Sequence, residues 1–313
     1  MSKSSEGLGI LSKYLSPTSL ICLDAQRRIF VKKESENPTR SFKDRPAIYG
    51  VRIHQKTILE RGLLAASSGN FAQAIAHAAQ QIGVRARIVM TSTTSDFKVK
   101  RTKGFGGEVI FAGETFESRE LKTAEILEHD QPVFLHPFDC EETIVGDGSL
   151  ALELHQQIQG PLDIFVPASG GGLLAATATI YSELDSSVRV FGAQPVNNGS
   201  LEKSFRQGRR EKVAPFKTIC DSLIAQIPGA NTFPLIQKYV EDVFSLSENE
   251  VLQSLVDLWG QYQIFTEPGC ACAWAAAKKS DSFDDPSRIK VIILTGANVE
   301  ASQYKKWGIG DVE

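Results

Sequence analysis

The chain has 313 residues, of which 42% are hydrophobic and 23% charged, with a formal net charge of -3. That balance describes a globular protein with material for two sizeable cores, and its mild acidity gives no reason to expect nucleic acid as a partner. There is no run of about 18 apolar residues to span a membrane, residues 1–6 lack the apolar stretch of a secretory leader, and the irregularly spaced Cys22, Cys140, Cys220, Cys270 and Cys272 predict free thiols in a cytoplasmic setting.

Short apolar or β-branched runs predict buried strands over 28–31, 63–66, 87–90, 109–111, 164–166, 188–191 and 291–294. Helical stretches are expected over 71–81, 118–128, 150–159, 173–183, 251–262 and 272–279. This alternation predicts an α/β protein with parallel sheets covered by helices on both faces. The length predicts two lobes, discontinuous in sequence. Open α/β sheets bind ligands beyond the carboxyl ends of their strands, so the motifs just after strands carry the most information.

The stretch Asn37-Pro38-Thr39-Arg40-Ser41-Phe42-Lys43-Asp44-Arg45 is a proline-broken polar turn entering a helix. Ser41 is expected as its N-cap, with Ala47, Ile48, Val51, Ile53 and Ile58 as the apolar positions behind it. A lysine at the buried end of such a turn is desolvated toward the neutral amine that attacks carbonyls. Taken alone, Ser-Phe-Lys is more simply a snorkelling surface lysine.

Three further motifs end that isolation. After strand 63–66 comes Ser67-Ser68-Gly69-Asn70-Phe71, where a helix amino terminus offers free N–H groups to an anion. After 164–166 comes Ser169-Gly170-Gly171-Gly172-Leu173, a glycine run able to wrap a phosphate, reinforced by the helix dipole. It is neither a Walker loop nor a dinucleotide fingerprint. By contrast, Gly104-Phe105-Gly106-Gly107 follows a helix and is expected to stop it. After 291–294 comes Thr295-Gly296-Ala297-Asn298, whose hydroxyl can meet a heteroaromatic nitrogen.

In this order the four motifs resemble the fold type II pyridoxal-phosphate enzymes, the tryptophan synthase β-like fold, and within them the serine/threonine dehydratase and serine racemase family. Leu135-His136-Pro137-Phe138-Asp139, Gly146-Asp147-Gly148, Thr218-Ile219-Cys220-Asp221, Asp242-Val243-Phe244 and Thr266-Glu267-Pro268 look like further landmarks. The resemblance implies a large cofactor-binding lobe from 1–61 and 138–313, and a small lobe over 62–137. It implies that Lys43 holds pyridoxal 5'-phosphate covalently and then serves as base on the substrate Cα–H. Phe42 packs on the cofactor ring, Asn70 donates to its 3′ oxygen, Ser169, Gly170, Gly171, Gly172 and Leu173 cradle its phosphate, and Thr295 faces its nitrogen. Ser67, Ser68, Gly69 and Asn70 hold the substrate carboxylate, and Ser68 matches the position that exchanges a proton on the opposite face in racemases.

Several positions depart from the family pattern. Pro46 stands where many dehydratases have Gly, Phe71 where they have His, and Ser169 replaces the first of four glycines. Gln194 and Ser200 occupy places where metal-binding relatives carry carboxylates, so no stimulatory Mg²⁺ or Ca²⁺ is expected there. Cys270 and Cys272 are expected as small packing residues, since no further ligands complete a zinc site. Nothing after the catalytic body is expected to form an amino-acid-sensing domain. The implied activity is elimination of water from serine, threonine or a relative, giving a 2-oxo acid and ammonia. Racemisation and β-replacement through an aminoacrylate are the alternatives, and a homodimer is the implied assembly.

Overall fold

The computed structural model describes residues 3–310; residues 1, 2 and 311–313 of the expected large lobe lie outside it. The chain opens with α1 (Lys3–Leu11), the antiparallel pair β1 (Leu20–Asp24) and β2 (Ile29–Lys33), then α2 (Asp44–Ile53) and α3 (Gln55–Arg61). Next come β3 (Leu63–Ala66), α4 (Asn70–Gln80), β4 (Arg87–Met90), α5 (Asp96–Gly104), β5 (Glu108–Phe111), α6 (Phe116–Asp130) and β6 (Val133–Phe134). After them follow α7 (Glu141–Gln157), β7 (Leu162–Pro167), α8 (Gly172–Leu184), β8 (Arg189–Pro195), α9 (Ser200–Gln207) and α10 (Thr232–Tyr239). The described chain closes with β9 (Asp242–Leu246), α11 (Glu248–Tyr262), α12 (Pro268–Lys279), β10 (Ile289–Leu294) and α13 (Ala301–Lys306).

The strands form two sheets, ordered β1-β2-β10-β7-β8-β9 and β5-β4-β3-β6. Every pairing is parallel except β1 with β2. The central strands β7 and β10 are buried along their whole length, which is why, apart from Asp163 and Lys290, their sequences run apolar without alternation. The four-stranded sheet lies within the span expected of the small lobe. Its core reaches beyond that span, because Ala47, Ile48 and Val51 of α2 and Ile58 of α3 pack with Leu63, Ala65 and Ile88. Among the described residues, no helix is long and apolar enough to cross a membrane.

Several expectations are corrected. The strands β1, β6 and β9 lie at sheet edges, where a half-exposed or two-residue strand leaves little apolar signal. The helix expected from 150 begins at Glu141, since Gly146 and Gly148 mimic breakers. In place they let α7 approach its neighbours: a Cβ on Gly146 would lie 2.5 Å from the Pro46 Cα. Ser41 is not an N-cap. The helix α2 starts at Asp44 without a side-chain cap bond, and the Ser41 hydroxyl is buried without a partner. The turn is instead spliced onto the end of β10, with Phe42 N–H donating to Thr295 O at 2.9 Å and Ala297 N–H to Arg40 O at 3.0 Å. Ile53, expected among the buried positions, is 41% exposed.

Just beyond Lys43, α2 is anchored by buried charge. Arg45 forks onto Glu34 through Nε and Nη2 at 2.7 and 2.9 Å, and reaches Glu153 of α7 through Nη1 at 2.9 Å. Lys32 also pairs with Glu153, and Thr18 and Asn37 donate to Glu34 at 2.7 and 2.8 Å. The two cations and two carboxylates cancel, and the added hydrogen bonds satisfy lone pairs that burial would otherwise penalise.

Candidate active site

The carboxyl ends of β3, β4, β7 and β10 face a common cleft of about 390 Å³. All the residues expected in the site line it: Phe42, Lys43, Ser67, Ser68, Gly69, Asn70, Ser169, Gly170, Gly171, Gly172, Leu173 and Thr295. Lys43 is half-buried, and its Nζ donates to Pro137 O at 2.6 Å. The amine lies 4.5 Å from the Phe42 ring centroid and 5.8 Å from that of Phe71. Desolvation lowers its pKa, against the pull of Asp147 and Cys140.

The glycine run turns from β7 into α8 with Gly171 at φ +96°, in the region that favours glycine. No side chain caps α8, so its first-turn N–H groups are left for an anion. The loop is held from behind. Gly170 O accepts from Gly229 N–H at 3.0 Å and from the Thr232 hydroxyl at 2.7 Å. Ser169 Oγ accepts from Ala225 N–H at 2.9 Å, which leaves the hydroxyl proton free to donate into the cleft. The segment 136–139 supplies the backing: His136 Nδ1 accepts from the N–H groups of Phe138 and Asp139 at 3.3 and 2.9 Å. Asp139 in turn accepts from Ala230 and Asn231 N–H, both at 2.8 Å.

Across the cleft, α4 also begins without a side-chain cap. Ser68 Oγ accepts from Thr91 N–H at 3.3 Å and the Thr94 hydroxyl at 2.8 Å. Asn70 donates to Glu267 Oε1 and accepts from Asn298 Nδ2, both at 2.8 Å; one amide hydrogen remains for another acceptor. Burial raises the pKa of Glu267. Thr295 Oγ1 lies 3.2 Å from Cys270 Sγ, whose thiol burial pushes up to about 12. Cys270 therefore touches a site residue as a neutral group, beyond the packing role expected of it. Gln194 and Ser200 are occupied elsewhere, Gln194 with Asn198 O and Glu202 N–H and Ser200 with Ala225 O.

Several cleft residues carried no assignment in the sequence. Thr91 and Thr94 directly follow strand 87–90, and the rule that singled out the other three loops would have found them. Lys98 of α5 meets Asp221 at 2.6 Å across the mouth. Arg119 of α6 lines the cleft, buried, without an ion pair among the described residues and with its Nε unpartnered. Phe138 stands against Gly170. Phe138 falls in the 135–139 landmark but carried no role there, and no motif pattern marks Arg119.

A desolvated lysine, a glycine loop with free helix N–H groups and a neutral hydroxyl at a strand end fit a phosphorylated carbonyl cofactor with a ring nitrogen. The fold and cleft thus suit an enzyme that holds such a cofactor at the carboxyl ends of its strands. The family model for "Pyridoxal-phosphate dependent enzyme" matches residues 11–296. A biosynthetic L-threonine dehydratase of Pasteurella multocida is 33% identical over 87% of this chain and 53% of that protein. A serine racemase of Dictyostelium discoideum is 30% identical over 95% of this chain and 94% of its own length. The structure of maize serine racemase superposes with a TM-score of 0.90 at 28% identity, covering 97% of this chain and 95% of that one. The chain belongs to the pyridoxal-phosphate dependent enzymes, in the group of the threonine ammonia-lyases and serine racemases. It spans about half the length of the biosynthetic dehydratase it matches, at 53%.

Proposed function

We propose that the chain eliminates water from L-serine, L-threonine or a β-substituted relative, releasing a 2-oxo acid and ammonia. When bound, the cofactor supplies the electron sink that makes the substrate Cα–H acidic. The observation that carries the reading is the neutral hydroxyl–thiol pair of Thr295 and Cys270 at the end of β10, 3.2 Å apart. A nitrogen facing a neutral hydroxyl remains a weak sink, which suits prompt loss of a β-hydroxyl over long-lived charge at Cα. Lys43 holds the cofactor and takes the Cα proton; Phe42 packs on the ring, and Asn70 gives its remaining hydrogen to the 3′ oxygen. Ser169 to Leu173 hold the phosphate, and Ser67 to Asn70 hold the substrate carboxylate.

A second reading, racemisation alongside elimination, is supported by Ser68. Its oxygen accepts two hydrogen bonds, which stabilise the oxygen's developing charge as it gives up its proton. We also propose lobes over 1–61 with 138–313 and over 62–137, with α2 and α3 as a shared wall, and a cytoplasmic homodimer.

The test is purified protein with L-serine, L-threonine and their D-forms, following 2-oxo acid, ammonia and the chirality of unreacted substrate. Stoichiometric oxo acid and ammonia from an L-hydroxy amino acid is the expected result. Loss of chirality without oxo acid overturns elimination, and a new amino acid formed only with an added thiol or amine points to β-replacement. A Lys43→Ala variant should lose the visible absorbance of the lysine-bound cofactor and fall about 10²–10⁴-fold in rate.

A further inference from the structure

One carboxyl group behind the cleft wall, Asp147, is given no role by the proposed function. Asp147 lies inside α7, fully buried, and neither carboxylate oxygen has a hydrogen-bond partner. Buried polar groups are almost always paired, so an orphan carboxyl calls for a reason. Its position supplies one. A Cβ on Gly172 would lie 2.9 Å from Asp147 Oδ2, so the carboxyl stands directly beneath the first turn of α8, under the glycine loop.

The charges around it are few. Lys43 and Arg45 face it from α2 and the turn before, and Glu34 from the short turn after β2. Arg45 is already spent on Glu34 and Glu153. The helix α8 carries no charged side chain before Glu183. From α1, which meets the same stretch of α7 at Gly148, Lys3 pairs with Glu141, and Glu6 is the other charged residue. An ionised Asp147 would therefore have only Lys43 as an uncommitted counter-charge. Any anion seated in the loop would then lie against a second negative charge.

Resting on the reading that the loop Ser169–Leu173 is the phosphate site, we propose that Asp147 is a positioning residue for that phosphate. It carries a proton and presents a hydrogen-bond donor beneath the loop whenever an anion is seated there, so anion binding takes up one proton. A neutral carboxylic acid resolves both observations: its O–H gains an acceptor, and its charge no longer opposes the anion. Burial already raises this carboxyl to about 7, with Lys43 and Arg45 working the other way. A small further push from an anion completes protonation at neutral pH.

The test uses the full chain freed of cofactor and carrying Lys43→Ala, so that the lysine's own titration drops out. Sulfate is the probe, because its charge does not change between about pH 6 and 9. Calorimetry in two buffers of different ionisation heat counts the protons taken up. Removing Lys43 also removes its downward pull on Asp147, so sulfate affinity should fall up to about tenfold per pH unit on the alkaline side of a midpoint above about pH 7, with uptake approaching one proton per ion there. Adding Asp147→Asn should leave binding independent of pH and free of proton uptake. Uptake that persists with Asn at this position overturns the proposal. Without the Asp147 substitution, on the alkaline side of that midpoint, sulfate should also bring up the infrared C=O stretch of a protonated carboxyl, and its absence there overturns the proposal without need of that change. If sulfate fails to compete with pyridoxal phosphate at any pH, the phosphate-site reading falls and the proposal with it. If it competes without proton uptake, only the role of Asp147 falls.

Discussion

At the amino terminus of α8 each glycine is walled in. A Cβ would lie 2.3 Å from the Phe138 ring at Gly170, 2.5 Å from Ile236 at Gly171 and 2.9 Å from Asp147 at Gly172. At the amino terminus of α4, Gly69 has nothing within 4 Å, and its loop is held by side-chain hydrogen bonds at Ser67, Ser68 and Asn70. Both termini offer the same free N–H groups to an anion. They differ in what stands behind them. A loop without slack suits a resident phosphate that never leaves, whereas a loop with open space suits a carboxylate that arrives and departs with every turnover.

The largest break in this contrast should come from Gly170→Ala. Forcing the Phe138 ring aside costs about 1–3 kcal/mol, so cofactor affinity should fall about 5- to 150-fold in an equilibrium titration. Affinity unchanged in that variant would show the loop to be looser than its packing.

The backing can also be attacked by pH. Burial holds His136 down to about 4, and its neutral ring accepts from Phe138 and Asp139. An unfolded histidine titrates near 6.5, so the unfolded chain binds the extra proton first on acidification. The stabilisation from neutral His136 is complete above about pH 6.5 and is lost as the pH falls toward 4. Allowing for its partial exposure, the loss should reach about 2 kcal/mol in urea unfolding series. A His136→Gln variant should remove that slope.

On the substrate side the effects should be smaller. Thr94→Val deletes one donor to Ser68 and should cost about 1 kcal/mol, or roughly fivefold in activity, with cofactor affinity unchanged. Gly69→Ala sharpens the contrast most. With open space and a negative φ, it should shift stability and cofactor affinity by less than about 0.5 kcal/mol.

Much of this cleft was legible in the sequence because its parts lie just after buried parallel strands, where apolar runs end abruptly in glycine, serine or asparagine. Asn70, Gly170 and Thr295 were found that way, whereas Lys43 was found in the polar turn that enters α2. What stayed hidden depends on contacts between distant segments. Asp147 reads as one polar residue between two glycines, and only the packing of α7 against α2 and α8 places it under the loop. Ser41 looked like a cap because local spacing favours it, but splicing onto β10 took precedence over local preference. The first turns of α7 were missed because Gly146 and Gly148 weaken a local helix signal, whereas close contact with neighbouring helices requires them.

The buried charges around Arg45 have a consequence for heat. Charge desolvation becomes less costly as temperature rises, while the gain from apolar burial levels off. The anchor that aims Lys43 is made of such charges, whereas the loop before α4 hangs on a few neutral hydrogen bonds. Under the proposed roles of the two loops, warming should therefore blur the choice of substrate before it dislodges the cofactor, the order of failure following from which loop is anchored by charge.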